Sequence, residues 1–157
     1  MPKAWPLLFA LLLVGCGGGS GASLLEGSSG TVAATFSNAS GFNGNTSAIT
    51  SYTTLDGSVS GNTIAISVVS GDRALETSFI GASLVNGTTV DLSGSTGSVV
   101  VYSDTNGTWA ATGGTVTILS HTTSSVQLQF TNVVLTNTSG TGTGSVTLSG
   151  TVSFVAG

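Results

Sequence analysis

One cysteine and one histidine are the whole supply of thiol and imidazole in this 157-residue chain. Cys16 closes an apolar run, and His121 stands among hydroxyl residues, Ser120-His121-Thr122-Thr123. Nucleophilic catalysis needs a nucleophile beside a base, usually a histidine or an activated carboxylate. A polar turn is expected over 121–124, so His121 reads as a solvated loop residue rather than a base or metal ligand. Serines are plentiful, yet no Gly-x-Ser-x-Gly elbow occurs where a strand would enter a helix. Carboxylates offer a second route, because a glycoside hydrolase sets two acids across a cleft. The candidates are Asp56, Asp72, Glu76, Asp91 and Asp104, with Glu26 nearer the start. Most fall at turn signals, where an aspartate bonds its own backbone, so turn duty outweighs catalysis. Asp91 and Asp104 are the residues to test in a hydrolase.

Other polar groups are equally sparse in chemistry. Asp104-Thr-Asn106-Gly107 has some features of a calcium loop but lacks the further acidic ligands of a full site, and a hairpin turn explains it better. Arg73, between Asp72 and Glu76, is expected to make a local surface pair. Tyr102 and Trp109 could form a platform for sugar rings, but the core reading outweighs it, because a lone tryptophan in a strand buries one of the largest side chains available. Asn45-Thr-Ser47 and Asn106-Gly-Thr108 match a glycosylation pattern that a chain rich in Asn and Thr generates by chance. No catalytic constellation emerges, and no cofactor or metal is expected.

The amino-terminal segment carries a sharper signal. Met1-Pro-Lys3 is a short positive stretch, and Ala4 to Val14 is almost unbroken apolar sequence. A membrane span takes about 20 helical residues, while the apolar region of a secretory signal takes about 7–15. The segment ends Leu13-Val14-Gly15-Cys16, which resembles the lipobox of bacterial lipoproteins. That resemblance implies cleavage between Gly15 and Cys16, a diacylglycerol on the Cys16 sulfur, and membrane attachment through acyl chains. Gly17, where an aspartate would resemble an inner-membrane retention signal, favours the outer membrane. After the cysteine, Gly17-Gly-Gly-Ser-Gly21 and Ala22-Ser23 have the composition of a tether. The expected organisation is a signal peptide over 1–15, a tether over 16–29, and one domain over 30–157.

Composition limits the partners of that domain. Only 5% of residues are charged, and the formal net charge is −4 with two basic residues, Lys3 and Arg73. Nucleic acid is excluded as a partner, because neutralising a phosphate backbone takes several Lys or Arg. Attraction to anionic lipid headgroups fails for the same reason. A single cysteine excludes an intrachain disulfide. The 39% hydrophobic fraction argues against charge-driven disorder.

The elements that must position these residues read as strands. From about Thr31 the apolar period is two, the mark of half-buried strands. Val32, Ala34 and Phe36 share one face, as do Ile64, Ile66 and Val68. Ala48–Tyr52 and Gly57–Ser60 are weaker strands. Over 72–80, a helical turn through Arg73 to Glu76 competes with a strand. Val99–Tyr102 leads through the Asp104–Gly107 turn into a second strand, giving a hairpin. Beyond Gly113-Gly114, Val116 and Ile118 face one way, then Val126, Leu128 and Phe130. Past Phe130 the apolar parity shifts to Val133 and Leu135, which predicts a bulge near Thr131-Asn132. Val146, Leu148, Val152 and Phe154 mark a last strand that bends at Gly150.

About eight to ten short strands predict an all-β fold, an antiparallel β-sandwich or small closed barrel, behind a signal-peptide helix and flexible linker. Gly and Thr spacings are too irregular for a β-solenoid, and aromatics too few for the girdles of an outer-membrane barrel. The stretch from Gly97 to Phe154 loosely resembles small β-domains of uncharacterised bacterial lipoproteins, through Tyr102, Gly107-Thr-Trp109 and Gly114-Thr-Val-Thr-Ile118. That resemblance implies fold and location only. The expected function is a membrane-anchored, non-catalytic module with a structural, adhesive or interaction role and a protein or glycan partner. The alternatives are a carrier for a small ligand or glycan and, after it, a carboxylate-dependent hydrolase.

Overall fold

A computed structural model describes residues 28–81, 84–94 and 97–157. The signal peptide, Gly15, Cys16 and most of the tether lie outside the described residues. Nine strands run through the remainder: β1 (Ser29–Ser40), β2 (Thr54–Ser60), β3 (Thr63–Ser70), β4 (Arg73–Ile80), β5 (Thr89–Asp91), β6 (Val99–Ser103), β7 (Gly107–His121), β8 (Ser125–Gly140) and β9 (Ser145–Val155). They form one antiparallel sheet in the order β1-β9-β8-β7-β6-β4-β3-β2, with β5 paired to β7 beside β6. The sheet is open and curled like a half-barrel. The class is all-β, as the period-two pattern predicts.

Strand alternation gives the curled sheet one apolar face. On β8, Val126, Leu128, Phe130, Val133 and Leu135 are buried while Gln127, Gln129 and Thr131 are exposed. The buried faces of β1, β3, β4, β7 and β9 meet this row in one continuous cluster that includes Phe79, Ile118, Leu148 and Phe154. Hydroxyl and amide side chains cover the outside, where a charged residue would ordinarily stand.

The predicted bulge is present. Phe130 pairs with Gly150 and Val133 with Leu148, so β8 carries one residue more than β9 across that interval. Asn132 absorbs the extra residue at φ 49°, a left-handed conformation that asparagine tolerates better than most residues. A matching bulge in β1 sits between Ser37 and Ser40, with Asn38 at φ 50°. Gly150 adopts φ 138°. A Cβ there would lie 1.9 Å from Ala33 O, so glycine is what lets β1 approach β9 so closely.

Three local expectations change. The stretch Arg73–Ile80 is strand throughout, because its alternation of Leu75, Thr77 and Phe79 inward satisfies both β3 and β6. Over 48–52 only Ile49 pairs, in a two-bond bridge to Ala34 at 2.9 and 2.8 Å. Gly113 and Gly114 do not break the chain; β7 runs through them with register shifts on either side.

The edges of the sheet, β1 and β2, approach one another. The connector over 41–53 lies along β1 through the Ile49 bridge, and Tyr52 Oη donates to Gly30 O at 3.1 Å.

Candidate functional site

Two ends of the curl gather the polar residues. At one end meet the connector after β1, the β6–β7 turn and the β8–β9 turn. The β6–β7 hairpin forms because Asp104-Thr-Asn106-Gly107 supplies an acceptor side chain and a glycine where the chain reverses. Asp104 N donates to Gly107 O at 3.0 Å, and Asp104 Oδ1 accepts from Asn106 N at 2.8 Å. Its other oxygen, Oδ2, accepts from Asn45 N at 2.7 Å and from Tyr102 Oη at 3.2 Å. The carboxylate is therefore a hub between the hairpin and the connector. Asn43 adds a second tie, donating to Thr141 O at 3.0 Å and accepting from Thr143 N at 2.8 Å.

Beneath this polar layer lies an aromatic cluster. Tyr102 and Trp109 are cross-strand partners on β6 and β7, with ring centroids 5.8 Å apart. Phe36 packs 4.9 Å from Tyr102 and Phe42 4.7 Å from Trp109. Tyr102 and Trp109 are both 0% exposed, so neither ring offers a face to a sugar, and the platform reading gives way to the core reading. Their polar atoms are matched as burial requires: Tyr102 Oη shares its one hydrogen between Asp104 Oδ2 and Asn45 O, the latter at 3.0 Å, and Trp109 Nε1 donates to Thr143 O at 3.2 Å. Burial raises the Tyr102 pKa well above the usual phenol range. The Asp104 charge pushes the same way, and nearby Arg73 opposes it.

Arg73 is not the local pair expected of it. Its guanidinium reaches the connector instead, donating to Ser47 O at 2.6 Å and Ala48 O at 3.4 Å. Nothing in the spacing of Asp72, Arg73 and Glu76 signals a partner some 25 residues upstream, because the bond is a tertiary contact between β4 and the connector.

The remaining carboxylates are dispersed. Asp56 Oδ1 accepts from Gly57 N at 2.7 Å. Asp91 caps the bend after β5, accepting from Ser93 N at 2.8 Å and Ser93 Oγ at 2.7 Å. Those bonds from Ser93 lower its pKa. Glu76 is half-buried on the outer face of β4, and desolvation raises its pKa. Asp91 and Asp104 each hold their own backbone turn, with no hydrogen bond joining them. Among the described residues no group of three or more His, Cys, Asp or Glu side chains could hold a metal ion.

At the opposite end, His121 is the last residue of β7 rather than a loop residue. Both ring nitrogens meet main-chain carbonyls, Nδ1 against Leu84 O and Nε2 3.1 Å from Ser60 O. The polar context of Thr122-Thr123 suggested solvent; the ring instead stitches three segments. The chain matches no protein-family model, no curated protein and no solved structure.

Proposed function

We propose that this chain is the precursor of a bacterial lipoprotein, in which an acylated Cys16 holds a non-catalytic all-β module at the cell envelope. The observation that carries this reading is Leu13-Val14-Gly15-Cys16 at the close of an apolar run too short to span a bilayer. The placement of β1 supports it: the sheet begins at Ser29, leaving a Gly- and Ser-rich stretch between the cysteine and the first strand. Each buried methylene of an acyl chain contributes about 0.8 kcal/mol, so two or three chains suffice without any basic patch. Gly17 favours the outer membrane.

A structural, adhesive or interaction role fits the described residues better than catalysis or carriage. The polar side chains that converge are satisfied by one another, as at Asp104, and the concave face is filled by a continuous apolar cluster. Growth with a labelled fatty acid tests the anchor: the wild-type protein takes up label and Cys16→Ser does not. Equal labelling of the two would overturn the reading.

A further inference from the structure

We propose that the end of the sheet where β1 begins rests on the lipid surface, its exposed apolar side chains seated among the headgroups. The proposal rests on the reading of Cys16 as the anchor and adds which end of the domain faces the bilayer. Ser29, the first residue of β1, pairs with Val155 of β9, which also pairs with Ser125 of β8. His121 ends β7 opposite Val126. Its Nε2 lies 3.1 Å from Ser60 O at the end of β2, and Ser60 pairs with Thr63, itself the partner of Ile80. The chain from Cys16 therefore enters at the end shared by the last residues of β2, β4, β7 and β9. Twelve residues separate Cys16 from Ser29, a reach of at most about 45 Å. The polar end around Asp104 lies farther off by the length of β8, 16 residues or about 50 Å of strand. An acylated Cys16 thus brings the near end to the bilayer first.

That end carries apolar surface a bilayer can take up. Ile80, 60% exposed, is the last residue of β4; Val155 is the last of β9, and Leu119 lies two residues before the end of β7. Each adjoins a core residue, Phe79, Phe154 or Ile118, so strand alternation turns it outward. Val99 flanks Ile80 from β6, opposite Ser78. Scattered apolar side chains are ordinary on a protein surface; here they gather around the point of chain entry. The turns between them, Ser60-Gly-Asn62 and Thr122-Thr-Ser-Ser125, offer hydroxyls and an amide to the headgroups. Residues 57–71, 77–90 and 105–157 contain no Asp, Glu, Lys or Arg. Among the described residues the nearest carboxylates along the chain are Asp56, four residues before Ser60, Glu76, four before Ile80, and Asp91, opposite Thr115. Glu26 lies outside the described residues. Penetration is therefore shallow, three or four residues of strand or about 10 Å, the depth of interfacial side chains. With no basic residue at this end, the contact is apolar and insensitive to salt. It orients the domain, while the acyl chains hold it.

The test uses the whole protein, purified from its own membranes and placed in phosphatidylcholine nanodiscs that contain a nitroxide-labelled lipid. Intact mass first reports whether Cys16 is acylated. If it is not, the lipoprotein reading fails; coupling the Cys16 thiol of the full-length chain to a maleimide lipid then sets the same domain on the same disc, so its orientation is tested either way. Amide signals of Ile80, Leu119 and Val155 are expected to lose intensity to the nitroxide, while those of Asn43, Asp104 and Thr141 at the far end keep theirs. Combining Ile80→Ser, Leu119→Ser and Val155→Ser leaves the tether intact and is expected to reduce the contrast between the two ends. Val134→Ser, in the middle of β8, leaves it unchanged. Ile80→Ser alone carries the same test if the triple variant does not fold. Equal loss at both ends, no loss at the near end, a contrast undiminished by the serine changes, or one abolished by salt overturns the proposal.

Discussion

Tyr102 shows how a buried phenol shapes pH dependence. Its folded-state pKa is raised, first by burial and then by Asp104. A group whose folded pKa exceeds its unfolded value stabilises fully below the unfolded pKa, about 10 for tyrosine, and loses that contribution as pH climbs toward the folded value. The domain should therefore lose stability above about pH 10, and Tyr102→Phe should flatten that alkaline limb in thermal melts. An unchanged limb would remove Tyr102 as its source. Thr77 offers a second test, because its hydroxyl is buried on the inner face of β4 with no hydrogen-bond partner. Thr77→Val keeps the shape and removes the unmet group, so urea unfolding should show a gain of about 1 kcal/mol. A loss would mean that the hydroxyl bonds a buried water. At this scale the sequence was partly legible. Aspartate at Asp104 reads as a turn former from its neighbours Asn106 and Gly107, and it is one. That Asn45 and Tyr102 converge on its other oxygen depends on a connector lying along β1, which no local pattern encodes.

Strands were legible wherever one face is apolar and the other polar. The shift from Phe130 to Val133 locates a bulge to within a residue, because a one-residue slip would otherwise turn Val133 and Leu135 outward. The bulge in β1 leaves no such trace, since Ser37-Asn-Ala-Ser40 has no large apolar residue to reveal the change of parity. Over 72–80, the run Arg73-Ala-Leu-Glu76 leaves a helical turn competing with a strand. Pairing on both sides of β4 decides for strand, a tertiary outcome that outweighs local preference. Gly150 is the most exacting position among these elements. Gly150→Ala would place a methyl against Ala33 O and force β1 away from β9. The expected cost is about 2–4 kcal/mol, read as a lower urea midpoint. A midpoint within error of wild type would show that β1 shifts freely.

As a whole molecule, the domain solves an edge problem with few charges. A sheet rich in Val and Thr exposes unpaired edges that invite pairing with other chains. Here Leu55 of β2 lies close against Gly30 of β1, and the connector bridges to β1 at Ala34. Charged gatekeepers are scarce in this sequence, and the Ile49 bridge covers part of the β1 edge in their place. The same scarcity leaves the polypeptide without electrostatic attraction to a membrane, so in the proposed lipoprotein reading attachment would rest on Cys16 alone. Intact-mass spectrometry of the protein extracted from its own membranes is the most direct measurement of that attachment. The account predicts a chain that begins at Cys16 and carries the added mass of a diacylglycerol. A chain with an unmodified Cys16, or one cut elsewhere and free of lipid, would contradict it.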